Sequence, residues 1–501
     1  METFVEDFAV NPPTPVRYYV SGSIMTSSTS SAVSPDGLSQ PAATRPDTAT
    51  ALPLHLLVLV AALAAAILGQ GGYYPTGQRL VAVTLALATI AALRTRPWTR
   101  ADASLAPLAA CAALAGWAVL SAALAGNAVS ARATVGMLAG VAAVIVICRR
   151  TTPAQRDVLA GAVVAIGALA AATGWIGVAW RHTPWALPDQ GLWRAATTFS
   201  YANAAAGLLV PLAVLALAQR VARPRSQGLV LGGCLLLVGV GATLSRGGAV
   251  ALAIGLVVLA WLLGPVRLLR AVGPCALGAT LALLGLAPSM PVGRPPQTIL
   301  AVGALLVGLL VAAGSAFLGR RAVTLLGMAV MGAVLIPNVL AAAPSGILDS
   351  RVSIASSDRV QAARAALRLV EHRPLTGAGP GRAALYWVDP DGRTLTIQYV
   401  HNEYLQVLAE LGTIGLALLL ILLATLAQMV RRGRDVVGMP ATWAGVAAGL
   451  SALAVHSGLD FLWHVPAIPL TGAVLIGLTV PPLEERRASA QQRLASQKEN
   501  E

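Results

Sequence analysis

The sequence has few charged residues. Only 11% of its positions are Asp, Glu, Lys or Arg, whereas soluble globular proteins carry about 25%. Hydrophobic residues fill 56% of the positions, and the mean hydropathy is +0.72. The charges fall in short clusters between apolar runs of roughly 17 to 25 residues, the length that crosses a bilayer as a helix. This pattern excludes a soluble protein, a disordered chain and a coiled coil, and it predicts an integral membrane protein built from helices.

Cysteine is also scarce. The chain has four cysteines, which are too few for a disulfide scaffold. All of them fall inside apolar runs: Cys111, Cys148, Cys234 and Cys275. We interpret them as small buried hydrophobic side chains and not as redox groups or metal ligands.

Basic residues flank the apolar runs unevenly. Residues 1–50 are rich in Ser, Thr and Pro and predict a disordered arm, followed by a transmembrane domain at 51–482 and a tail at 483–501. With both termini in the cytoplasm, most arginines of the short connections lie on the inner side, as the positive-inside rule requires. The sequence therefore predicts an all-α polytopic transmembrane bundle of about 12–14 spans in the plasma membrane. One long extracytoplasmic loop is expected at 343–400, and the net charge of +14 does not indicate a nucleic-acid partner.

An amphipathic helix is predicted inside this loop. A start signal at Ser356–Asp358 precedes a helical pattern that runs to Glu371. Its apolar side chains recur at spacings of three or four and form one stripe: Val360, Ala363, Leu367 and Val370. We expect this stripe to lie on the membrane surface or on the bundle. The glycines of the following segment, Pro374–Gly381, are expected to allow close approach of the backbone to a ligand.

A histidine stands where the chain re-enters the membrane. His401 precedes Asn402 and Glu403, in the predicted first turn of a span. The positive end of the helix dipole disfavours a charged imidazole at this place, and a neutral imidazole can accept a proton. His401 is therefore a candidate general base near neutral pH, and the alternative is a structural interfacial histidine.

Other polar residues are predicted to gather on the same side. Arg246, in a Ser-Arg-Gly turn, places a guanidinium at membrane level, where it needs a counter-ion. Arg194 precedes a span that carries Asn203 near its start. The last outer turn has titratable residues at intervals of four: His456, Asp460 and His464. A hydrogen bond between histidine and carboxylate explains that spacing as well as a metal site does, and no metal is predicted. Because guanidinium groups bind phosphate oxygens through paired hydrogen bonds, an anionic lipid headgroup or lipid diphosphate is the expected ligand.

Taken in order, these elements resemble the O-antigen ligase and polysaccharide polymerase superfamily. The resemblance covers about 194–425 of the chain. Its most specific parts are Asp358–Gly381, an Asp-Arg helix followed by Arg-Pro-Leu-x-Gly-x-Gly-Pro-Gly, and His401–Gly415, His-Asn-x-Tyr-Leu-Gln with Glu-x-Gly-x-x-Gly downstream. The Arg194–Asn203 segment and the Ser245–Gly247 turn match more weakly.

The resemblance implies a membrane glycosyltransferase, either a ligase or a polymerase, in cell-surface polysaccharide biosynthesis. Such an enzyme moves a glycan from a polyprenyl diphosphate-linked donor to an acceptor hydroxyl of a glycan, lipid or protein on the outer face, without a metal or other cofactor. By motif, Arg246 and Arg359 would bind the diphosphate, and His401 would orient or deprotonate the acceptor. Supporting roles are expected for six further residues: Arg194, Asn203, Asn402, Glu403, His456 and Asp460.

Two other functions remain as alternatives. A membrane transporter on the same scaffold typically has polar or broken helices near the midplane and an internal repeat, whereas the ionisable residues here gather at one surface. A non-catalytic protein that binds or assembles lipid-linked glycans would keep the arginines without needing a base. Ligase and polymerase differ only in the acceptor.

Overall fold

The computed structural model describes residues 52–95, 105–315, 357–383, 385–388, 394–434 and 440–480. The helices are, in chain order, α1 (Leu54–Leu68), α2 (Pro75–Thr95), α3 (Leu105–Leu124), α4 (Arg132–Cys148), α5 (Pro153–Trp180), α6 (Ala202–Ala222), α7 (Gln227–Ala242), α8 (Arg246–Leu263), α9 (Pro265–Leu286), α10 (Thr298–Gly314), α11 (Ser357–His372), α12 (Glu403–Arg432), α13 (Pro440–Ser457) and α14 (Ala467–Leu478). The predicted arm at 1–50, the tail at 483–501 and the first part of the predicted 343–400 loop lie outside the described residues.

Helices dominate because the apolar runs are long and poor in charge. In the described part of the chain, eight helices are long and apolar enough to cross a membrane, and α1, α7, α10 and α14 are apolar but shorter. A helix satisfies its own backbone N–H and C=O groups, which a segment in lipid cannot do with water. The predicted all-α, multi-pass membrane bundle is confirmed.

Helix α6 lies at the centre of the bundle. Its apolar window is 94% buried, whereas the windows of α2 and α8 are 22% buried. Neighbours from both halves of the chain surround it: α5, α7, α8, α9 and α13. Residues at the start of α6 are therefore fixed by packing on several sides.

Two short antiparallel hairpins lie between the helices. The strands are β1 (Ala186–Asp189), β2 (Leu192–Ala195), β3 (Leu385–Val388) and β4 (Thr394–Ile397). In the first hairpin, β1 pairs with β2 so that Arg194 lies opposite Leu187. In the second, β3 pairs with β4 just before the segment that contains His401. The hairpins thus place two of the predicted site residues beside helix ends.

The predicted loop helix is present, and its most buried side chains are alanines. Helix α11 buries three alanines: Ala362, Ala365 and Ala366. Of the predicted stripe, Ala363 and Val370 pack against the same cluster, whereas Val360 is 40% exposed and Leu367 is 48% exposed. The small alanine side chains let α11 approach β3 and α12 closely, and this close packing decides which face is buried.

Helix α12 is broken at Gly412. This residue has φ 68° and ψ −171°, a conformation that residues with a side chain rarely adopt. Next to the break, the carbonyl groups of Ala409 and Glu410 accept hydrogen bonds from the N–H groups of Ala378 and Gly379, both at 2.9 Å. The glycine-rich segment that follows α11 therefore supplies hydrogen bonds that the broken helix lacks.

Space as well as conformation requires glycine at this junction. A Cβ atom at Gly412 would lie 2.2 Å from the carbonyl oxygen of Leu375, and one at Gly377 would lie 2.3 Å from that of Glu410. Trp117 on α3 closes the junction by donating its Nε1–H to a carbonyl of the broken turn at 2.8 Å. The backbone of Gly377 therefore approaches α12 closely, at the turn where that helix is broken.

Candidate active site

A buried carboxylate joins the polar residues of several helices. Asp460, in the loop between α13 and α14, has a side chain that is 2% exposed. Its Oδ1 atom accepts a hydrogen bond from the Tyr201 hydroxyl at 2.8 Å and lies 3.1 Å from Nδ1 of His401. Its Oδ2 atom accepts hydrogen bonds from the Asn203 amide at 2.6 Å and from the Arg359 guanidinium at 3.4 Å. Three other parts of the chain therefore meet on the Asp460 side chain.

These contacts keep Asp460 ionised. Burial alone raises the pKa of Asp460, but the hydrogen bond and charge of His401 together with the Arg359 guanidinium outweigh it, and the pKa lies below its ordinary value. Burial and the nearby carboxylate raise the pKa of Tyr201 well above the ordinary value of a phenol. The Tyr201 hydroxyl therefore keeps its proton and donates it to the hydrogen bond.

Asp460 positions His401 more directly than the helix dipole does. Helix α12 begins at Glu403 with Asn402 as its N-cap, whose side chain accepts a hydrogen bond from the Leu405 N–H at 3.0 Å. The predicted place of His401 in the first turn is therefore wrong, because it precedes the cap. Its φ is 58°, in the left-handed region, and its side chain is 27% exposed. When Nδ1–H donates to Asp460, Nε2 is free to accept a proton, and the carboxylate stabilises the resulting imidazolium.

Arg359 connects α11 to the same carboxylate. Its Nη1 atom donates to the Leu459 carbonyl at 2.9 Å, and its Nη2 atom lies 3.4 Å from Oδ2 of Asp460. The side chain is 31% exposed. A guanidinium has five N–H donors in a planar fork, an arrangement that suits paired hydrogen bonds to phosphate oxygens.

Arg246 adds positive charge to the same region. It is the first residue of α8 and follows Ser245, which caps the helix through its side chain. The Arg246 guanidinium is close enough to Arg359 and Arg194 to be repelled by their charges, and Asp189 attracts it. The positive charges of Arg359 and Arg194 at Arg246 favour an anion beside Arg246.

Arg194 connects the first hairpin to the start of α6. Its Nε atom donates to the Thr243 carbonyl at 2.9 Å, and its Nη2 atom donates to the Asn203 side-chain oxygen at 3.1 Å. An ion pair with Asp189 holds its Nη1 atom. Since Asn203 also donates to Asp460, the two predicted supporting residues form a continuous hydrogen-bonded path to the central carboxylate.

His456 packs beside the site without a hydrogen bond. It is 1% exposed, and within the described stretches neither ring nitrogen has a hydrogen-bond partner. Its Nε2 atom lies 2.9 Å from where a Cβ at Gly247 would be, so the imidazole packs directly on the Ser-Arg-Gly turn. No group of three or more His, Cys, Asp or Glu side chains among the described residues is placed to hold a metal ion. His464 instead faces Glu403, with 3.3 Å between Nδ1 and Oε1.

The central position of Asp460 is not evident from the sequence. Sequence patterns give Asp460 only a supporting role, and they give Tyr201 none. A useful signal was available, because a carboxylate at the end of a membrane span needs nearby partners. Which partners it meets depends on packing, since Tyr201 and Asp460 are 259 positions apart.

Part of the chain is similar to a known protein family. Residues 231–420 match the family model described as O-antigen ligase. No curated protein matches the chain. The matched range contains Arg246, Arg359 and His401, whereas Asp460 lies outside it. The geometry therefore adds a central side chain to the three residues singled out by motif.

Proposed function

We propose that the protein transfers a glycan from a polyprenyl diphosphate-linked donor to an acceptor hydroxyl, because residues 231–420 match the O-antigen ligase family model. The acceptor is a glycan, a lipid or a protein. Transfer takes place on the outer face of the plasma membrane, with both termini in the cytoplasm. The shared carboxylate of Asp460 supports this proposal most strongly, because it holds both a histidine suited to accept a proton and an arginine suited to bind phosphate.

Transfer changes two bonds at the anomeric carbon of the donor. The acceptor oxygen forms a bond to this carbon, while the bond from the carbon to the diphosphate oxygen breaks and its electron pair leaves with the polyprenyl diphosphate. His401 accepts the acceptor proton at Nε2, and Asp460 stabilises the imidazolium. Arg246 and Arg359 stabilise the negative charge that develops on the leaving diphosphate.

The supporting residues hold this arrangement through their contacts. Asn402 caps α12 and thereby fixes the backbone immediately before the helix. Arg194 and Asn203 connect Asp460 to the first hairpin, and Arg194 adds positive charge beside Arg246. These contacts preorganise the site before either substrate binds.

Deletion of the gene tests the proposed function. Cells without the protein should accumulate a lipid-linked glycan and lose a surface polymer, as measured by mass spectrometry of lipid extracts and by carbohydrate analysis. The wild-type chain should restore the polymer, and the His401→Ala variant should not. Normal surface glycans combined with loss of solute uptake would identify a transporter, and full restoration by His401→Ala would identify a non-catalytic binding protein.

A further inference from the structure

Two histidine–carboxylate pairs join the same two segments. Nδ1 of His401 lies 3.1 Å from Oδ1 of Asp460, and Nδ1 of His464 lies 3.3 Å from Oε1 of Glu403. Residues 401–403 supply a histidine and then an acid, whereas the 458–466 loop supplies an acid and then a histidine. Each segment thus contributes one histidine and one carboxylate to the two pairs.

Glu403 is the most enclosed member of these pairs. It is 0% exposed, and its Oε1 atom also accepts a hydrogen bond from the backbone N–H of Trp463. Its Oε2 atom has no hydrogen-bond partner among the described residues. A buried carboxylate is costly unless a cation pairs with it, and removal of that cation is strongly destabilising. The imidazolium form of His464 is the matching counter-ion.

Stacked rings connect this second pair to Asp460. Phe461 lies between Tyr201 and Tyr399, with ring centroids 4.9 Å and 4.6 Å away and interplanar angles of 14° and 20°. The His464 ring lies on Tyr399 at 4.4 Å. Because packed side chains transmit displacement, a shift of His464 moves the stack that adjoins Asp460.

Two carboxylates face His464 from α12. Burial alone lowers the pKa of His464, but the charges of Glu403 and Glu410 together with the Glu403 hydrogen bond outweigh it, and the pKa is raised. Tyr399 covers the imidazole ring, and its hydroxyl is hydrogen-bonded to that of Tyr73 at 3.0 Å. The surroundings of His464 thus favour its charged form.

We propose that Glu403 and His464 are positioning residues, whose ion pair holds the 458–466 loop on α12 and thereby sets the hydrogen bond between Asp460 and His401. This assignment rests on the proposed function, since it describes how the same site is held. Among the described residues, no hydrogen bond or ring contact joins His464 to His401. Its effect is on the orientation of the base and therefore on turnover, while donor binding by the arginines is preserved.

The proposal gives the site a defined pH dependence. A histidine whose pKa is raised by folding contributes its ion pair below its ordinary pKa, and this contribution is lost as the pH rises through the raised value. Above that value the buried Glu403 carboxylate loses its counter-ion, and the loop is no longer held. Turnover should therefore decline on the alkaline side because of His464.

The ion pair is tested by measuring initial rates of glycan transfer, with the lipid extract of deletion cells as donor. The wild-type chain and three variants are assayed in membranes: His401→Ala, His464→Gln and Glu403→Gln. The His464→Gln variant should lose between about 10-fold and 10²-fold in kcat. KM for the donor should change less than about twofold, and the alkaline decline of kcat should disappear. The matched control is His372→Gln at the exposed end of α11, which should retain wild-type turnover and the wild-type pH profile.

The outcomes separate this proposal from the proposed function. Absence of transfer by the wild-type chain would reject the function itself. The positioning role alone would be overturned if the wild type is active, His401→Ala is inactive, and His464→Gln has an unchanged kcat and pH profile. If the Glu403→Gln chain does not accumulate in the membrane, two other measurements decide the question. One is the pH profile of His464→Gln. The other is the turnover of Glu403→Asp, which keeps the carboxylate and should exceed that of His464→Gln.

Discussion

The Nδ1 atom of His401 lies 3.1 Å from the Oδ1 atom of Asp460. On the other oxygen of the same carboxylate, the Arg359 guanidinium lies 3.4 Å away. One side chain therefore orients both the proposed base and a proposed diphosphate ligand. Its removal should disturb proton transfer and leaving-group stabilisation together.

Replacement of Asp460 by asparagine should abolish most turnover. Asparagine keeps the shape of the side chain, but it cannot stabilise an imidazolium or pair with Arg359. We expect kcat to fall between about 10²-fold and 10⁴-fold, the range typical of a lost general base. The control is Asp157→Asn, which removes a partly exposed ion pair with Arg223 and none of the contacts of Asp460. Wild-type kcat in a folded Asp460→Asn chain would contradict the proposed role.

Replacement of Arg359 by lysine tests phosphate recognition. An ammonium keeps the charge but cannot contact the Leu459 carbonyl and Asp460 while presenting paired donors to a phosphate. Turnover should fall on the order of 10²-fold. The matched control is Arg364→Lys on the exposed face of α11, which should keep the wild-type rate. Equal rates in both variants would exclude recognition through paired hydrogen bonds.

The break in α12 predicts an effect on stability. Gly412→Ala places a Cβ at positive φ and 2.2 Å from the Leu375 carbonyl oxygen. Backbone strain alone should lower the free energy of unfolding by about 1–3 kcal/mol, measured as a lower melting temperature of the purified protein in detergent. Gly136→Ala on α4 is the control, because no atom lies within 4 Å of its Cβ. Equal melting temperatures would show that the break does not require glycine.

Cysteine labelling tests the predicted orientation. The native cysteines are buried, so a single exposed cysteine can be labelled selectively. Glu371→Cys on α11 should react with a membrane-impermeant maleimide in intact cells. Arg225→Cys, between α6 and α7, should react only after the cells are permeabilised. The reverse pattern would place the site on the cytoplasmic face.

The sequence predicts the fold class because the bilayer imposes strong constraints on length and polarity. An apolar run with few charges must form a helix in lipid. The loop helix α11 was predictable from its start signal and period. Its buried face was not, because Ala362 and Ala366 pack more closely than Val360 and Leu367 do. The volume of the side chains at the contact decides which face of α11 is buried, and hydrophobicity alone does not predict that face.

The site was predictable in its chemistry but not in its connections. Isolated polar residues near membrane spans point to His401 and the arginines, because such residues need partners. The central role of Asp460 depends on Asn203, which lies 257 positions away in the chain. No local pattern encodes that contact. The close approach of Gly377 to the broken turn of α12 likewise forms only in the folded protein.

The turnover number of purified His401→Ala in proteoliposomes tests the central claim most directly, with the lipid extract of deletion cells as donor. A kcat lower by about 10²-fold to 10⁴-fold is expected, because the acceptor hydroxyl loses its proton acceptor. Donor binding and melting temperature should stay close to those of the wild type. A wild-type kcat in this variant would contradict general-base catalysis by His401.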